Sequence, residues 1–403
     1  MSERKVPKIR FPGFTEEWEE LPMSEVFEER MEKNHPEMPV LSVMQGQGTV
    51  LRDNSDRNIQ YDKSNLKGYK LIREGDYIIH LRSFEGGLEY SNHDGISSPA
   101  YRILKPVKIV PSAYRGYFRS KDFIKNKLSV AVVGIRDGKN IDMPSFWDIT
   151  IPVPEIKEQE NISQFLLEID DQISTQQKEL DKWKELKKGM LQKMFPKEGE
   201  SVPEIRFPGF TDPWELRKSG DIAPLRGGFA FKSSEYCSDG VPIIRISNIL
   251  LDGSVGAEFA YYNEQDSDEK YALYDGAAIL AMSGATTGKV SVLHDEKGRK
   301  YYQNQRVGYF IPTDNCDYSF IRTIVRSQLF LDQLSAVLVA GAQPNVSSKE
   351  IDEFEYMIPK SDNEQRVIGE CFENLDNLIT LHQRECDSWL QLKKALLQQM
   401  FVA

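Results

Sequence analysis

The chain has 403 residues, a hydrophobic share of 40%, a charged share of 28% and a formal net charge of −11. That length exceeds one hydrophobic core and points to two or three domains, while the acidic balance argues against a protein that coats nucleic acid regardless of sequence. No apolar run approaches the ~20 residues that cross a bilayer, and the opening MSERKVPKIRF has no apolar core of a secretory signal.

The first element is a marker, VPKIRFPGFTEEWE at Val6–Glu19, and it returns as VPEIRFPGFTDPWE at Val202–Glu215, offset by 196 residues. Each has a Pro-Gly turn flanked by aromatics. Phe11, Phe14 and Trp18, like Phe207, Phe210 and Trp214, are expected to latch the loop onto a domain.

After the first marker comes a region of mixed character. Tyr69–Leu81 and Gly95–Pro106 read as strands around turns, and Ser120–Val133 has helical spacing. Between Ala100 and Asn140 ten basic residues face only Asp122 and Asp137, whereas Glu16, Glu17, Glu19 and Glu20 cluster near the start. Such a basic island suits phosphate contact or an acidic partner equally well. An Asn-containing loop at Gly134–Pro154 closes on Pro before the next element.

From Ile162 to Phe195, apolar residues fall at Ile162, Leu166, Ile169, Ile173, Leu180, Trp183, Met190 and Met194, with Gln176 and Lys187 as the polar rungs. Steps of four and three mark the seam of a helix that packs along another helix. An offset of 206 finds the ladder again at Ile368, Phe372, Leu375, Ile379, Cys386, Trp389, Leu396 and Met400, with His382 and Lys393 on the polar rungs. Matched polar intrusions fix register and partner, so two long helices of one chain are expected to pack on each other. Lys197–Ser201 is a polar linker after Pro196.

The second mixed region reads as strands at Gly240–Ile249, Gly276–Gly284 and Gln305–Pro312, a helix at Tyr318–Val337 and a loop at Gly341–Pro359. The order of elements matches the first region although the sequences differ. A period of ~200 residues is far beyond the ~20–50 of solenoid repeats, so this is a duplicated module.

With its paired RFPGF-x-x-x-W openings, its helices ending LKKGMLQKMF and LKKALLQQMF, and the stretches Leu81–Leu104, Ala278–Leu293, Asn304–Phe310 and Gly341–Ser347, the chain resembles the specificity subunit of Type I restriction–modification systems. The resemblance covers nearly the whole length. It implies an α+β fold: two mixed α/β target-recognition domains from a tandem duplication, separated by two long helices packed as an antiparallel coiled coil. The expected bounds are 1–154 and 198–360 for the recognition domains and 155–197 and 361–403 for the helices. Each domain would read one half of an asymmetric, bipartite site on double-stranded DNA. The helices would dock methyltransferase subunits, expected in two copies, which bind S-adenosylmethionine, and restriction/translocase subunits would use ATP and Mg²⁺. The chain itself would bind no cofactor, hold no catalytic residue and work in the cytoplasm without a membrane.

An antiparallel pair in a duplicated chain generates a pseudo-two-fold axis, placing unlike readers at opposite ends of a rod roughly 55 Å long at ~1.5 Å per residue. Such readers reach segments about one DNA turn (~10 bp) or somewhat more apart. Base reading needs polar side chains on loops with a small backbone. In the first domain these are Arg82 and Ser83, with Ser98 and Tyr101 beside them and Arg115 and Arg119 on phosphates. In the second they are Ser283, Thr286, Thr287 and Lys289, with Gln303, Asn304 and Arg306 close by. Ile169, Ile173, Leu180, Trp183, Leu375, Ile379, Cys386 and Trp389 form the expected helix-pair seam.

Other chemistries fit poorly. Gly284–Val290 is one residue short between its glycines for a Walker A loop and has Val after the Lys. The five His residues lack a metal-ligand spacing such as H-E-x-x-H, and no G-x-G-x-x-G follows a strand. Cys237, Cys316, Cys371 and Cys386 form no C-x-x-C pair, which fits a reducing compartment. A self-contained DNA enzyme and a coiled-coil scaffold that binds protein are the competing functions.

Overall fold

The computed structural model describes residues 6–52, 63–80, 82–134, 139–250, 253–295, 297–340 and 345–401. The chain divides into two compact units, Met1–Lys178 with Arg384–Ala403, and Glu179–Gln383. The division falls inside both long helices, Ile156–Lys193 and Asp362–Met400, so each unit takes the start of one and the end of the other.

In the first unit, β1 (Glu19–Pro22), β2 (Phe27–Glu29), β3 (Leu41–Met44) and β4 (Gly48–Leu51) are followed by β5 (Lys70–Ile72), β6 (Tyr77–Ile79), β7 (Glu89–Tyr90), β8 (Gly95–Ser97) and β9 (Arg102–Pro106). Short strands β10 (Val132–Val133) and β11 (Asn140–Ile141) precede β12 (Thr150–Val153). Strands β2, β9, β6 and β7 form one antiparallel sheet, with β3–β4 and β5–β8 as separate pairs. Tyr77, Tyr114, Phe118, Phe123 and Phe146 fill the core, wholly buried.

The second unit carries β13 (Glu215–Lys218), β14 (Leu225–Gly227), β15 (Val241–Ile244), β16 (Ala260–Tyr262), β17 (Ala272–Leu273), β18 (Ala278–Ala281), β19 (Val290–Val292), β20 (Tyr301–Gln303), β21 (Val307–Phe310) and β22 (Glu355–Ile358). Two four-stranded sheets result, ordered β14-β21-β18-β19 and β16-β15-β20-β17. Strands β15 and β20 run parallel, whereas the other strand pairs of these two sheets are antiparallel.

The duplication is visible as one device built twice. Strand β1 pairs with β12, and β13 pairs with β22, in both cases joining the marker to the strand before a long helix. Arg10 donates to Glu158 at 2.7 and 2.9 Å, and the Trp18 indole N–H donates to the same carboxylate at 3.2 Å. Arg206 donates to Glu364 at 2.6 and 2.7 Å, with Trp214 at 3.3 Å. The next residue repeats the pattern: Gln159 accepts from the Val110 N–H and donates to the Pro154 carbonyl, and Gln365 accepts from Asp317 and donates to Pro359. Each marker also binds the end of the other helix, Ile9 N–H to the Gln399 carbonyl at 3.0 Å and Ile205 N–H to that of Lys193 at 2.8 Å. The latch is therefore partly polar, which the aromatic pattern did not reveal. Gly13 and Gly209 turn the marker at φ 95° and 94°, a conformation open to glycine. Trp18 meets Phe401 at 5.8 Å and Trp214 meets Phe195 at 5.7 Å.

Within each unit the long helices pack antiparallel. In the second, Trp183 stacks on His382, Lys187 bonds Asp376 and Phe195 meets Phe372. In the first, Lys393 bonds Asp170, and Gln176 lies with Trp389 and Leu392 around one groove. Of the expected seam, Ile169, Leu180, Leu375 and Cys386 are buried, and Ile173, Trp183, Ile379 and Trp389 are half-buried. The polar rungs thus meet partners: the two lysines find aspartates, and Gln176 and His382 each sit beside the tryptophan of the opposite helix.

Two expected helices differ. Ser120–Val133 is not one helix but a π turn at Phe123–Lys127 and a 3₁₀ turn at Leu128–Ala131, which bury Phe123, Leu128 and Ala131 on one side. Tyr318–Val337 breaks into Tyr318–Ile324 and Gln328–Ala340, where the buried Ser327 hydroxyl donates to the Ile324 carbonyl. The loops before the long helices also hold short helices: Met143–Trp147, capped by Asp142, and Ser348–Asp352, with a capping box of Ser347 and Glu350. Leu81, residues 135–138 and residues 341–344 of the motifs quoted above lie outside the described residues.

Candidate nucleic-acid interface

The basic island of the first unit is largely neutralised at its start. Arg102 pairs with Glu29 and Lys105 with Glu28, because β2 and β9 are neighbours in one sheet, and Lys108 pairs with Glu25 and Lys127 with Glu20. Acidic residues that looked separate in sequence therefore face that island. Arg119, Lys121 and Lys125 have no carboxylate partner among the described residues.

Arg119 is exposed, and its guanidinium lies 3.1 Å from where a Cβ on Gly46 would stand. It thereby borders the turn of the β3–β4 hairpin. Arg115 lies over the Tyr90 ring at 4.6 Å and donates to Asn92 at 3.1 Å, held by a cation–π contact and a hydrogen bond. Arg82 is exposed at the start of the short helix Ser83–Gly86, and Lys139 reaches the ring of Phe84 in that helix. Gly87, at φ 78°, packs so closely that a Cβ would meet the Phe118 carbonyl at 1.9 Å. The hairpin turn, the Ser83–Gly86 helix and the Arg115–Arg119 segment thus converge.

Not every expected contact residue is on that surface. Ser83 is 0% exposed, and its hydroxyl accepts the His80 N–H at 2.9 Å: it closes a turn and does not face a ligand. Tyr101 is half-buried among Leu41, Ile72 and Ile103, and its carbonyl accepts from Lys70. Ser98 is half-buried and accepts the Ala100 N–H. His80, beneath Arg82, has its pKa lowered by burial, and its Nε2 is buried without a hydrogen-bond partner.

In the second unit, Gly284 and Gly288 take φ of 82° and 86° and frame the turn that holds Thr286 and Thr287, with Lys289 directly after it. Thr287 Oγ1 donates to the Gly284 carbonyl and Thr286 Oγ1 to that of Ile246. Lys289 and Arg306 are exposed. The Met282 N–H bonds the Arg306 carbonyl at 3.0 Å, and Ser283 bridges Asn345. The expected Ser283, Arg306 and Asn304 segments are therefore adjacent.

Gln303 is 3% exposed and donates to the carbonyls of Arg226 and Val307. It organises β20 and β21 and is not available to DNA. Sequence reasoning missed Asn345 and the exposed Phe229, which stacks on Tyr271 at 5.1 Å. The Gly-Gly pair of RGGFAF was the available signal, since a Cβ on Gly228 would meet the Gln303 carbonyl at 2.1 Å. Among the described residues no group of three or more His, Cys, Asp or Glu side chains could hold a metal ion, and no helix is long and apolar enough to cross a membrane.

Two similar frames carry unlike polar loops, as a duplicated module would. Residues 211–388 match the family described as the Type I restriction modification DNA specificity domain. The chain is 26% identical over 342 residues to the Type I restriction enzyme MjaVIII specificity subunit of Methanocaldococcus jannaschii, covering 81% of this chain and 78% of that one. It is 21% identical over 340 residues to the putative MjaX specificity subunit of the same organism, covering 81% and 75%. In fold it is similar to the Type I restriction–modification S subunit from M. genitalium, with a TM-score of 0.65 at 14% identity over 98% of this chain and 99% of that one. The chain is thus similar in sequence to specificity subunits of Type I restriction–modification systems, as its paired motifs indicated, and its α+β architecture is similar to that of the M. genitalium S subunit.

Proposed function

We propose that this chain is the DNA-recognition subunit of a Type I restriction–modification complex, with each unit reading one half of an asymmetric two-part site on double-stranded DNA. The observation that supports this is the contrast between frame and loops. The Arg–Glu–Trp clamp and the helix-leading glutamine are the same in both units. The loops present Arg82, Arg115 and Arg119 in one and Ser283, Thr286, Thr287, Lys289, Asn304 and Arg306 in the other. A shared frame carrying unlike polar side chains suits two readers of different sequence. Cations on the rims hold phosphates and fix register, and the side chains between them discriminate base edges.

In this reading the long helices dock methyltransferase subunits, expected in two copies, which supply S-adenosylmethionine chemistry on adenine. Restriction subunits add translocation and cleavage driven by ATP and Mg²⁺. The chain contributes binding and orientation, holds no cofactor and acts in the cytoplasm. The test is to assemble the chain with its modification subunits and select from random duplex DNA. A two-part, non-palindromic sequence is expected; recovery of no common sequence contradicts the proposal.

A further inference from the structure

We infer that the Met44–Gly48 turn is a base-reading element of the first unit, presenting the Gln47 carboxamide, with Gln45 beside it, to an adenine edge in duplex DNA. The inference rests on the DNA-reading role proposed above. In the major groove adenine offers an N6 donor beside an N7 acceptor, and a glutamine amide matches both at once. Gln45 and Gln47 are both exposed at the tip of the β3–β4 hairpin, and neither amide has a hydrogen-bond partner among the described residues.

The backbone that carries them is fixed from beneath. The Glu89 carboxyl, 0% exposed, accepts the Gly46 N–H at 2.7 Å and the Gly48 N–H at 3.0 Å. No cation pairs with it among the described residues. Burying a carboxyl in that way is costly unless it is well bonded, and an ordinary surface turn needs no such anchor. Gly46 and Gly48 take φ of 85° and 81°, and a Cβ on Gly48 would meet the Tyr90 carbonyl at 2.3 Å, so the turn is seated on β7. The Gln47 N–H closes the turn onto the Met44 carbonyl at 3.0 Å. With its amides occupied from behind, the turn offers side chains outward. Arg119 stands against Gly46, and the Ser83–Gly86 helix that follows Arg82 packs its Gly86 against the Gln45 side chain. Arg119 therefore borders the turn as a phosphate contact would, and Arg82 heads the short helix that meets Gln45.

The experiment compares Gln47→Ala and Gln45→Ala with the unaltered chain, each assembled with the modification subunits, by mapping methylated adenines and by thermal melting. Preference at one base position in one half of the site is expected to fall roughly ten- to hundredfold for Gln47→Ala. The other half and the melting temperature stay as they were. If both variants keep wild-type preference at every position, or if Gln47→Ala relaxes both halves together, the inference is overturned. A wild-type chain that directs no two-part motif refutes the DNA-reading role and this inference with it. A motif indifferent to both glutamines refutes this inference alone.

Discussion

Arg206 grips Glu364 through two hydrogen bonds of 2.6 and 2.7 Å, with the carboxylate side chain only 1% exposed. That contact ties a marker loop to the start of a long helix more than 150 residues away, and Arg10 with Glu158 repeats it. Removing one partner leaves a buried charge without compensation, which costs about 3–5 kcal/mol. Arg206→Ala, which leaves the buried Glu364 carboxylate behind, is therefore expected to destabilise the second unit by that order and to expose Trp214, read as a drop in denaturant midpoint and a red-shifted tryptophan emission. Stability equal to wild type would mean the marker is held by its aromatics alone.

The lysine rungs make different demands. Asp170 receives Lys393, whereas Asp376 receives Lys187 at 2.5 Å and also Arg326 at 2.7 Å. Exchanging Lys393 and Asp170 for each other should restore most of the stability that either single change removes. The same exchange at Lys187 and Asp376 should not, because a lysine at 376 would face Arg326. Double-mutant cycles in urea distinguish the two; equal recovery at both sites would contradict the geometry.

Trp183 and Trp389 each lie beside a polar rung of the opposite helix. Trp183→Asp places an unpaired charge where the indole is half-buried, costing on the order of 2–4 kcal/mol, and should also release partner subunits in gel filtration of the assembled complex.

Much of this was legible in advance. The period of 206 exposed the helices and their matched interruptions, and the marker at 196 exposed the duplication. What the sequence concealed were partners set by folding. Glu158 and Glu364 look like ordinary first-turn carboxylates until Arg10, Trp18, Arg206 and Trp214 converge on them. Ser83 and Gln303 carry side chains suited to base reading, but their burial depends on neighbouring strands. Gln45 and Gln47 passed unnoticed because the anchoring Glu89 lies more than forty residues downstream. The break at Ser327 arises from one hydroxyl competing for a backbone carbonyl, which hydrophobic periodicity does not report.

The two classes of cation should separate in binding. Arg119 has no carboxylate partner among the described residues, whereas Arg102 is held by Glu29 at 2.9 Å. Arg119→Ala is expected to weaken DNA binding across sequences and to reduce the slope of log K against log salt by about 0.9. Arg102→Ala should leave that slope unchanged. Titrations of the assembled complex across salt concentrations provide the comparison.

His80 gives a pH dependence of known sign. Burial lowers its folded-state pKa below the ordinary value of about 6.5, so the unfolded chain takes up the proton first as pH falls. The first unit should lose stability as pH drops from about 6.5 through the folded-state pKa, and His80→Gln should remove that increment. Urea midpoints of wild type and variant across that range decide it; parallel profiles would show that His80 does not contribute.

The most direct test of two unlike readers in one chain is a base-resolution map of methylated adenines in a host that carries the modification subunits, with and without this chain. One two-part, asymmetric motif is expected to be methylated only when the chain is present, and exchange of the second unit's loops is expected to alter only one half of it. A methylation pattern unchanged by deleting the chain would contradict that expectation.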